Sequence, residues 1–275
     1  MATGAVNGLV ACRRACQVLV HVMQGAWTVR REFPRLTSAQ KEERIQAWAL
    51  ELLARLAIKL VVKGQPVPMG PVLLVANHIS WLDIVVLHAA RHCRFISKAD
   101  VRHWPIVGTL ATGADTLYIE RGSSRDAMRV VHRMKQSLVQ GDVLAVFPEG
   151  TTGDGTQVLP FHGNLLQAAI SADAPAQPVA LQFVDEATGA LSFAPCYVGD
   201  DTLVRSVWRA LRAHGVAAEV HFGEAQKAMG RDRRVWAADL RIAVQTLRTD
   251  LLLDPSVGRD PCGMLKNNVI DRVAL

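Results

Sequence analysis

The chain has 275 residues, half of them hydrophobic, with a net charge of +6 at pH 7; that is enough apolar material for one large α/β domain with an appendage rather than two equal domains. Its five cysteines (Cys12, Cys16, Cys93, Cys196 and Cys262) show no CxxC and no Cys/His pairing at zinc spacing, which argues against a disulfide framework or a structural metal site and for a reducing compartment. No charged-then-apolar leader ending at a small-residue cleavage site is read at the N-terminus.

The charge is unevenly placed. Residues 1–63 hold ten Lys and Arg against four Glu, a surplus of six that equals the whole net charge of +6 and leaves residues 64–275 neutral. A basic amphipathic N-terminus points to an anionic surface. No nucleic-acid motif or aromatic-interleaved basic patch accompanies it, so membrane lipid is the expected partner and nucleic acid is not. Between Arg14 and Arg30 lies ACQVLVHVMQGAWTV, fifteen residues without formal charge. As a helix this runs about 22 Å, short of the roughly 30 Å hydrocarbon core. An interfacial helix is expected, with arginines at both ends facing headgroups and Trp27 at the boundary. A second helix over 38–60 follows Thr37, with Ile45, Trp48, Leu52, Leu53, Leu56 and Leu60 near one face. Residues 1–63 are therefore read as a basic, helical, membrane-associating segment, the alternative being a helical hairpin packed only on its own domain.

From Gly64 to Gly70 the texture changes. Short apolar runs at 71–77, 93–97, 115–120, 142–147, 178–183 and 217–222 read as strands, and stretches at 81–91, 124–140, 161–171, 201–214 and 232–252 as helices. Such alternation predicts a central mixed α/β sheet flanked by helices over 64–253, with ligands bound beyond the carboxyl ends of its strands. Residues 254–275, with Pro255, Gly258, Pro261 and Gly263, read as an irregular tail.

Two strand ends carry chemistry. The first delivers Asn77-His78-Ile79-Ser80-Trp81-Leu82-Asp83 into a helix start. Taking a proton from a hydroxyl needs a base of near-neutral pKa, and a carboxylate on the far ring nitrogen fixes its tautomer. Residues five apart on a continuous helix lie about 140° apart around its axis. His78 must therefore sit on the loop before the helix for Asp83 to reach it. The second strand ends in Phe147-Pro148-Glu149-Gly150-Thr151-Thr152-Gly153-Asp154-Gly155, where three glycines in six residues allow a curl of N–H groups suited to an anion or oxyanion. It fits neither GxGxxG nor GxxxxGK[ST]. No GxSxG elbow is present, which excludes a serine hydrolase of that type.

Together these segments resemble the glycerolipid acyltransferase family, whose best-known members are the 1-acyl-sn-glycerol-3-phosphate acyltransferases. NHISWLD is similar to its NHxSxxD block, which implies His78 as base and Asp83 as orienting partner. DTLYIERG stands where the second block falls and implies Arg121 as a ligand of the acceptor head. FPEGTTGDG is similar to FPEGTRS, implying acceptor-binding roles for Glu149, Gly150 and Thr151. QPVALQF is similar to the proline-led fourth block and implies Pro178 near the acyl site. The blocks keep the family order and the resemblance spans about residues 50–225. One departure stands out: Thr152-Gly153 replaces Arg-Ser and removes a bidentate phosphate ligand. The longer string FPEGTTGDG…VLPF resembles the branch that acylates lyso-ornithine lipids.

The resemblance implies an O-acyltransferase at the cytoplasmic face of the cell membrane. Acyl-CoA or acyl-carrier protein is the donor substrate, and no cofactor or metal is expected. The acceptor put first is 1-acyl-sn-glycerol-3-phosphate, giving phosphatidate; lyso-ornithine lipid is the alternative. A non-catalytic lipid-binding protein is the remaining one, and retention of both His78 and Asp83 argues against it. Arg125, Arg129 and Arg133 recur every four residues, as a solvated face or a dock for an acidic carrier protein. His88, His92, His103, His132 and His162 follow no ligand spacing. Trp208 and Trp236 read as core or membrane-facing surface.

Overall fold

The computed structural model describes residues 5–119 and 124–253. Arg121 and the 254–275 tail lie outside the described residues. In chain order the elements are α1 (Gly8–Arg31), α2 (Ser38–Arg55), β1 (Ile58–Gly64), β2 (Val72–Ala76), α3 (Leu82–Ala90), β3 (Arg94–Lys98), α4 (Val107–Gly113), β4 (Leu117–Ile119), α5 (Ser124–Val139), β5 (Val143–Val146), α6 (Leu166–Ser171), β6 (Ala176–Asp185), α7 (Leu203–Arg212), β7 (Val216–Phe222) and α8 (Arg233–Leu253). Short 3₁₀ turns occupy Phe33–Arg35 and Ala99–His103.

The seven strands form one sheet in the order β1-β7-β6-β2-β5-β3-β4. Every neighbouring pair is parallel except β6 with β7. This is the mixed sheet expected from the alternating pattern. Successive side chains on a strand point to opposite faces, and β2 uses both. Leu74 and Ala76 join the core beneath α2 and α3, with Leu53, Leu82 and Leu181. Leu73 and Val75 join the opposite core, with Met134 of α5, Leu166 of α6 and Trp236 of α8. Trp236 is fully buried and belongs to this second core, whereas Trp208 is exposed.

The structure differs from the sequence reading at several points, and α4 has no counterpart among the expected helices. The second helix ends at Arg55, and residues 58–64 form an edge strand of the sheet rather than a helix end. The segment Ile58-Lys59-Leu60-Val61-Val62, with three β-branched residues, finds a parallel partner in β7, with Ile58 opposite Val216 and Gly64 opposite Phe222. Helix α1 continues through Arg13 and Arg14 to a total of 24 residues. No described helix is long and apolar enough to cross a membrane. Finally, Arg14 does not face outward: its Nη1 donates to Leu211 O at 3.0 Å and Ala213 O at 2.7 Å, satisfying carbonyls at the end of α7.

The N-terminal helices are fastened to the domain and to each other. Asn7 caps α1 through the N–H of Val10 at 2.9 Å. Thr37 and Gln40 form a capping box at the start of α2. The His21 ring stacks on Trp48 at 5.3 Å, and Trp48 Nε1 donates to His21 O at 3.4 Å. Gly25 permits this approach, because a Cβ there would lie 2.4 Å from Trp48 Nε1. Gly25→Ala should therefore destabilise the protein by about 1–3 kcal/mol through overpacking, read as a lower midpoint in urea. An unchanged midpoint would show that Trp48 does not depend on the missing side chain.

Candidate active site

Strand β2 delivers the first motif from the centre of the sheet. After Ala76 the Asn77 side chain continues the ladder to β6: Nδ2 donates to Leu181 O at 3.0 Å, and Leu181 N donates to Oδ1 at 2.8 Å. This extra rung holds the backbone where it turns out of the sheet. His78 follows on the loop, and Asp83 stands in the first turn of α3, fully buried. One carboxylate oxygen, Asp83 Oδ2, accepts three hydrogen bonds, from His78 Nδ1 at 2.8 Å, Ile79 N at 2.6 Å and Ser80 N at 2.9 Å. An acceptor at Nδ1 assigns the imidazole proton there and leaves Nε2 with its lone pair. The His78 ring lies flat on Phe147, with centroids 4.0 Å apart, so its direction is fixed from both sides.

Strand β5 lies beside β2 and delivers the second motif at the same edge. Gly150 and Gly155 adopt φ of +72° and +81°, conformations that side-chain-bearing residues rarely take. The curl they allow is tied to the first motif. Gly153 N donates to His78 O at 2.8 Å, and His162 N to Pro148 O at 2.9 Å. The Thr152 hydroxyl and the Ile79 carbonyl both bond to the main chain of Tyr197. Ser80 closes the ring by donating to Pro195 O at 2.5 Å.

His78, Gly150, Thr151 and Thr152 open into a cavity of about 1230 Å³ whose lining is mainly apolar. Its far walls come from both N-terminal helices, with Gly25 and Val29 on α1 and Ile45 and Trp48 on α2, and from β3, α4 and α5. The N–H groups of Thr151 and Thr152 have no protein acceptor among the described residues.

The structure thus brings together His78, Asp83, Gly150 and Thr151. Glu149 is beside them but does not line the cavity: it is buried under the loop, with no hydrogen bond to either carboxyl oxygen. Burial pushes its carboxyl up to about 7, against the pull of the nearby His78 and Leu159 N–H groups. Pro178 is buried in β6 opposite Val75 and does not line the cavity; its carbonyl accepts from Gly223 N at 2.9 Å. Of the basic residues on α5, Arg129 pairs with Asp126 at 3.0 Å and Arg133 donates to Tyr118 O at 3.3 Å. Neither contact singles out a docking role. The Arg125 side chain lies outside the described residues.

Three residues at the site carried no sequence signal. His162 lines the cavity next to Gly150. His88 lines it beside Phe95, its imidazole pushed down to about 3 by burial with help from the neighbouring His92. Arg248, on α8, is almost fully buried and donates from Nη2 to Gly155 O.

The family model described as "Acyltransferase" matches residues 59–182. The chain is 36% identical over 222 residues to the lyso-ornithine lipid O-acyltransferase of Pseudomonas aeruginosa, covering 80% of this chain and 84% of that protein. It is 38% identical over 172 residues to the 1-acyl-sn-glycerol-3-phosphate acyltransferase of Neisseria gonorrhoeae, covering 62% and 66%. The crystal structure of the 1-acyl-sn-glycerophosphate acyltransferase of Thermotoga maritima shares the fold, with a TM-score of 0.62 at 17% identity over 88% of this chain and 98% of that one. The chain is an enzyme of the acyltransferase family, an O-acyltransferase.

Proposed function

We propose that the enzyme moves a fatty-acyl group from an acyl thioester to the free hydroxyl of a lysolipid, with His78 as general base. The observation that carries this reading is the His78–Asp83 hydrogen bond of 2.8 Å at the mouth of an apolar cavity. Nε2 takes the hydroxyl proton, the alkoxide oxygen attacks the thioester carbonyl, and Asp83 stabilises the imidazolium that forms. The free N–H groups of Thr151 and Thr152 are suited to hold the oxyanion. The thiolate leaves without needing a strong acid. Transfer is direct, with no acyl-enzyme, and the mechanism calls on no metal ion or bound cofactor. Acyl-CoA or acyl-carrier protein supplies the thioester as a substrate.

Two observations favour lyso-ornithine lipid over the phosphate-headed acceptor that the sequence puts first. Thr152 lines the cavity, so the guanidinium missing from the third block is missing from the cavity wall itself. The relative of Pseudomonas aeruginosa, of which the chain covers 84%, is named for that lipid. Phosphatidate synthesis stays as the second reading because of the 38% identity to the Neisseria enzyme.

The bilayer is the source of both lipids in this reading. Leu19, Val20, Met23 and Trp27 present an exposed apolar stripe on α1, and Trp104, Leu203 and Trp208 are exposed on neighbouring elements. Trp104 and Leu203 also line the cavity, so a lipid entering from the membrane would meet apolar surface throughout. We place the enzyme at the cytoplasmic face, held by this stripe and by basic residues worth about 1 kcal/mol each at an anionic surface.

His78→Ala should lower kcat by about 10²–10⁴, while Asp83→Asn keeps the protein folded and loses activity through the wrong tautomer. Activity of His78→Ala within twofold of wild type would remove the mechanism. For the acceptor, the assay pairs lysophosphatidate with lyso-ornithine lipid. Thr152→Arg should improve lysophosphatidate use by about 1.5–3 kcal/mol, the worth of a charged hydrogen bond, with no gain on lyso-ornithine lipid. A wild-type preference for lysophosphatidate would reverse the order of the two readings. For the membrane, Met23→Asp with Trp27→Asp should reduce flotation with anionic vesicles at an unchanged melting temperature; undiminished flotation would move the contact away from α1.

A further inference from the structure

Among the described residues, two polar side chains are both buried and part of the cavity wall: His21 on α1 and His88 on α3. His21 is satisfied. Its Nε2 lies 3.0 Å from Trp48 O and its Nδ1 3.6 Å from the Glu51 carboxylate. His88 is not. It is 7% exposed, and its Nδ1 is sealed off without a hydrogen-bond partner. Its Nε2 is not sealed off, yet has no partner among the described residues either. The ring is closed in by His92, stacked at 5.4 Å, and by Phe95, edge-on at 5.0 Å. The cavity is its open side. A buried polar group costs free energy until something pairs with it.

The place of His88 along the cavity follows from the rings. His78 lies on Phe147 with centroids 4.0 Å apart and planes 9° apart, and Phe147 on Phe95 at 5.8 Å and 17°. The near-parallel stack runs from the base into the wall, and His88 stands beyond its last ring. All four residues line the cavity. An occupant whose reacting carbonyl sits at His78 therefore has its hydrocarbon chain, not its carbonyl, beside His88. Burial holds this imidazole neutral, with its pKa down at about 3. A neutral imidazole has one donor and one acceptor nitrogen, and a hydroxyl can meet either. A methylene meets neither and leaves Nε2 unpaired.

We propose that His88 is a specificity-determining subsite for a hydroxyl carried on the hydrocarbon chain that occupies the cavity. The proposal rests on the reading that an acyl chain lies there with its reacting end at His78. It deepens that reading by naming the chain: one hydroxylated part-way along, at a carbon other than the one whose hydroxyl is acylated. His88 makes and breaks no covalent bond; it selects.

Such a chain has two sources, the acyl donor and the lysolipid acceptor, and two assay arms separate them. In the first, acyl-CoA donors of one chain length, plain or with a single hydroxyl at successive positions, are offered with a plain-chain acceptor. In the second, a plain donor is offered with acceptors whose chain carries or lacks an additional hydroxyl. One hydroxyl position in one arm should exceed the plain chain by about fivefold in kcat/KM, the scale of one neutral hydrogen bond. His88→Leu should bring that ratio to about one, whereas His88→Gln, which keeps a donor and an acceptor, should retain part of it. The ratio is taken within each variant, so a loss of folded protein cancels. Without turnover, the hydroxylated free fatty acid should raise the wild-type thermal midpoint more than the plain acid of equal length, and His88→Leu should erase the difference. Ratios near one at every position in both arms would overturn the proposal, as would a preference that survives His88→Leu. Should His78→Ala keep its activity, the base assignment falls separately, and the fatty-acid midpoints still decide for or against His88.

Discussion

The site depends on one oxygen. Asp83 Oδ2 gathers the imidazole N–H of His78 and the main-chain N–H groups of Ile79 and Ser80, all within 2.9 Å. Those bonds bend the chain from the end of β2 into the start of α3 and aim the imidazole in the same act. The first turn of a helix has unpaired N–H groups and a positive end, which suits a buried carboxylate there. The imidazole tautomer and the local backbone path therefore have a single cause.

From that point the architecture works outward by neighbours. Strands β2 and β5 are adjacent and parallel, so their loops leave the sheet side by side, about 4.8 Å apart. The Asn77 rung to β6, the Gly153 bond to His78 and the contacts of Tyr197 sew these loops together. Helices α1 and α2 enclose the far side of the cavity, and α1 is itself pinned to the end of α7 by Arg14. Elements from both ends of the described chain thus bear on a centre laid down between residues 77 and 155.

What the sequence revealed follows the reach of the forces involved. The strands β2 to β7 are short apolar runs bounded by turns, and their local pattern suffices. His78 and Asp83 were legible because their contact spans five residues and needs only a loop before a helix. Strand β1 was not, since Ile58 pairs with Val216 far along the chain and its two lysines read as part of the basic N-terminal segment. Arg14 looked like a headgroup ligand because its partners, the carbonyls of Leu211 and Ala213, are brought to it only by folding. Glu149 was visible as a residue and invisible as a buried one. Arg248 gives no sign of burial in the sequence, and only the tertiary fold sets the 155–159 stretch against its helix.

The cavity gives the domain an interior that the polypeptide does not fill. Its walls include Trp48, Val85 and Phe95, residues that also border the main core, and its apolar lining favours an apolar occupant over water. An acyl chain lying there is a removable part of the hydrophobic core, contributing the same burial energy of about 25 cal/mol per Å² that leucine and valine side chains contribute elsewhere. On the proposed reading each turnover would withdraw a piece of the protein's own packing, and lipid in the cavity would stabilise the folded state.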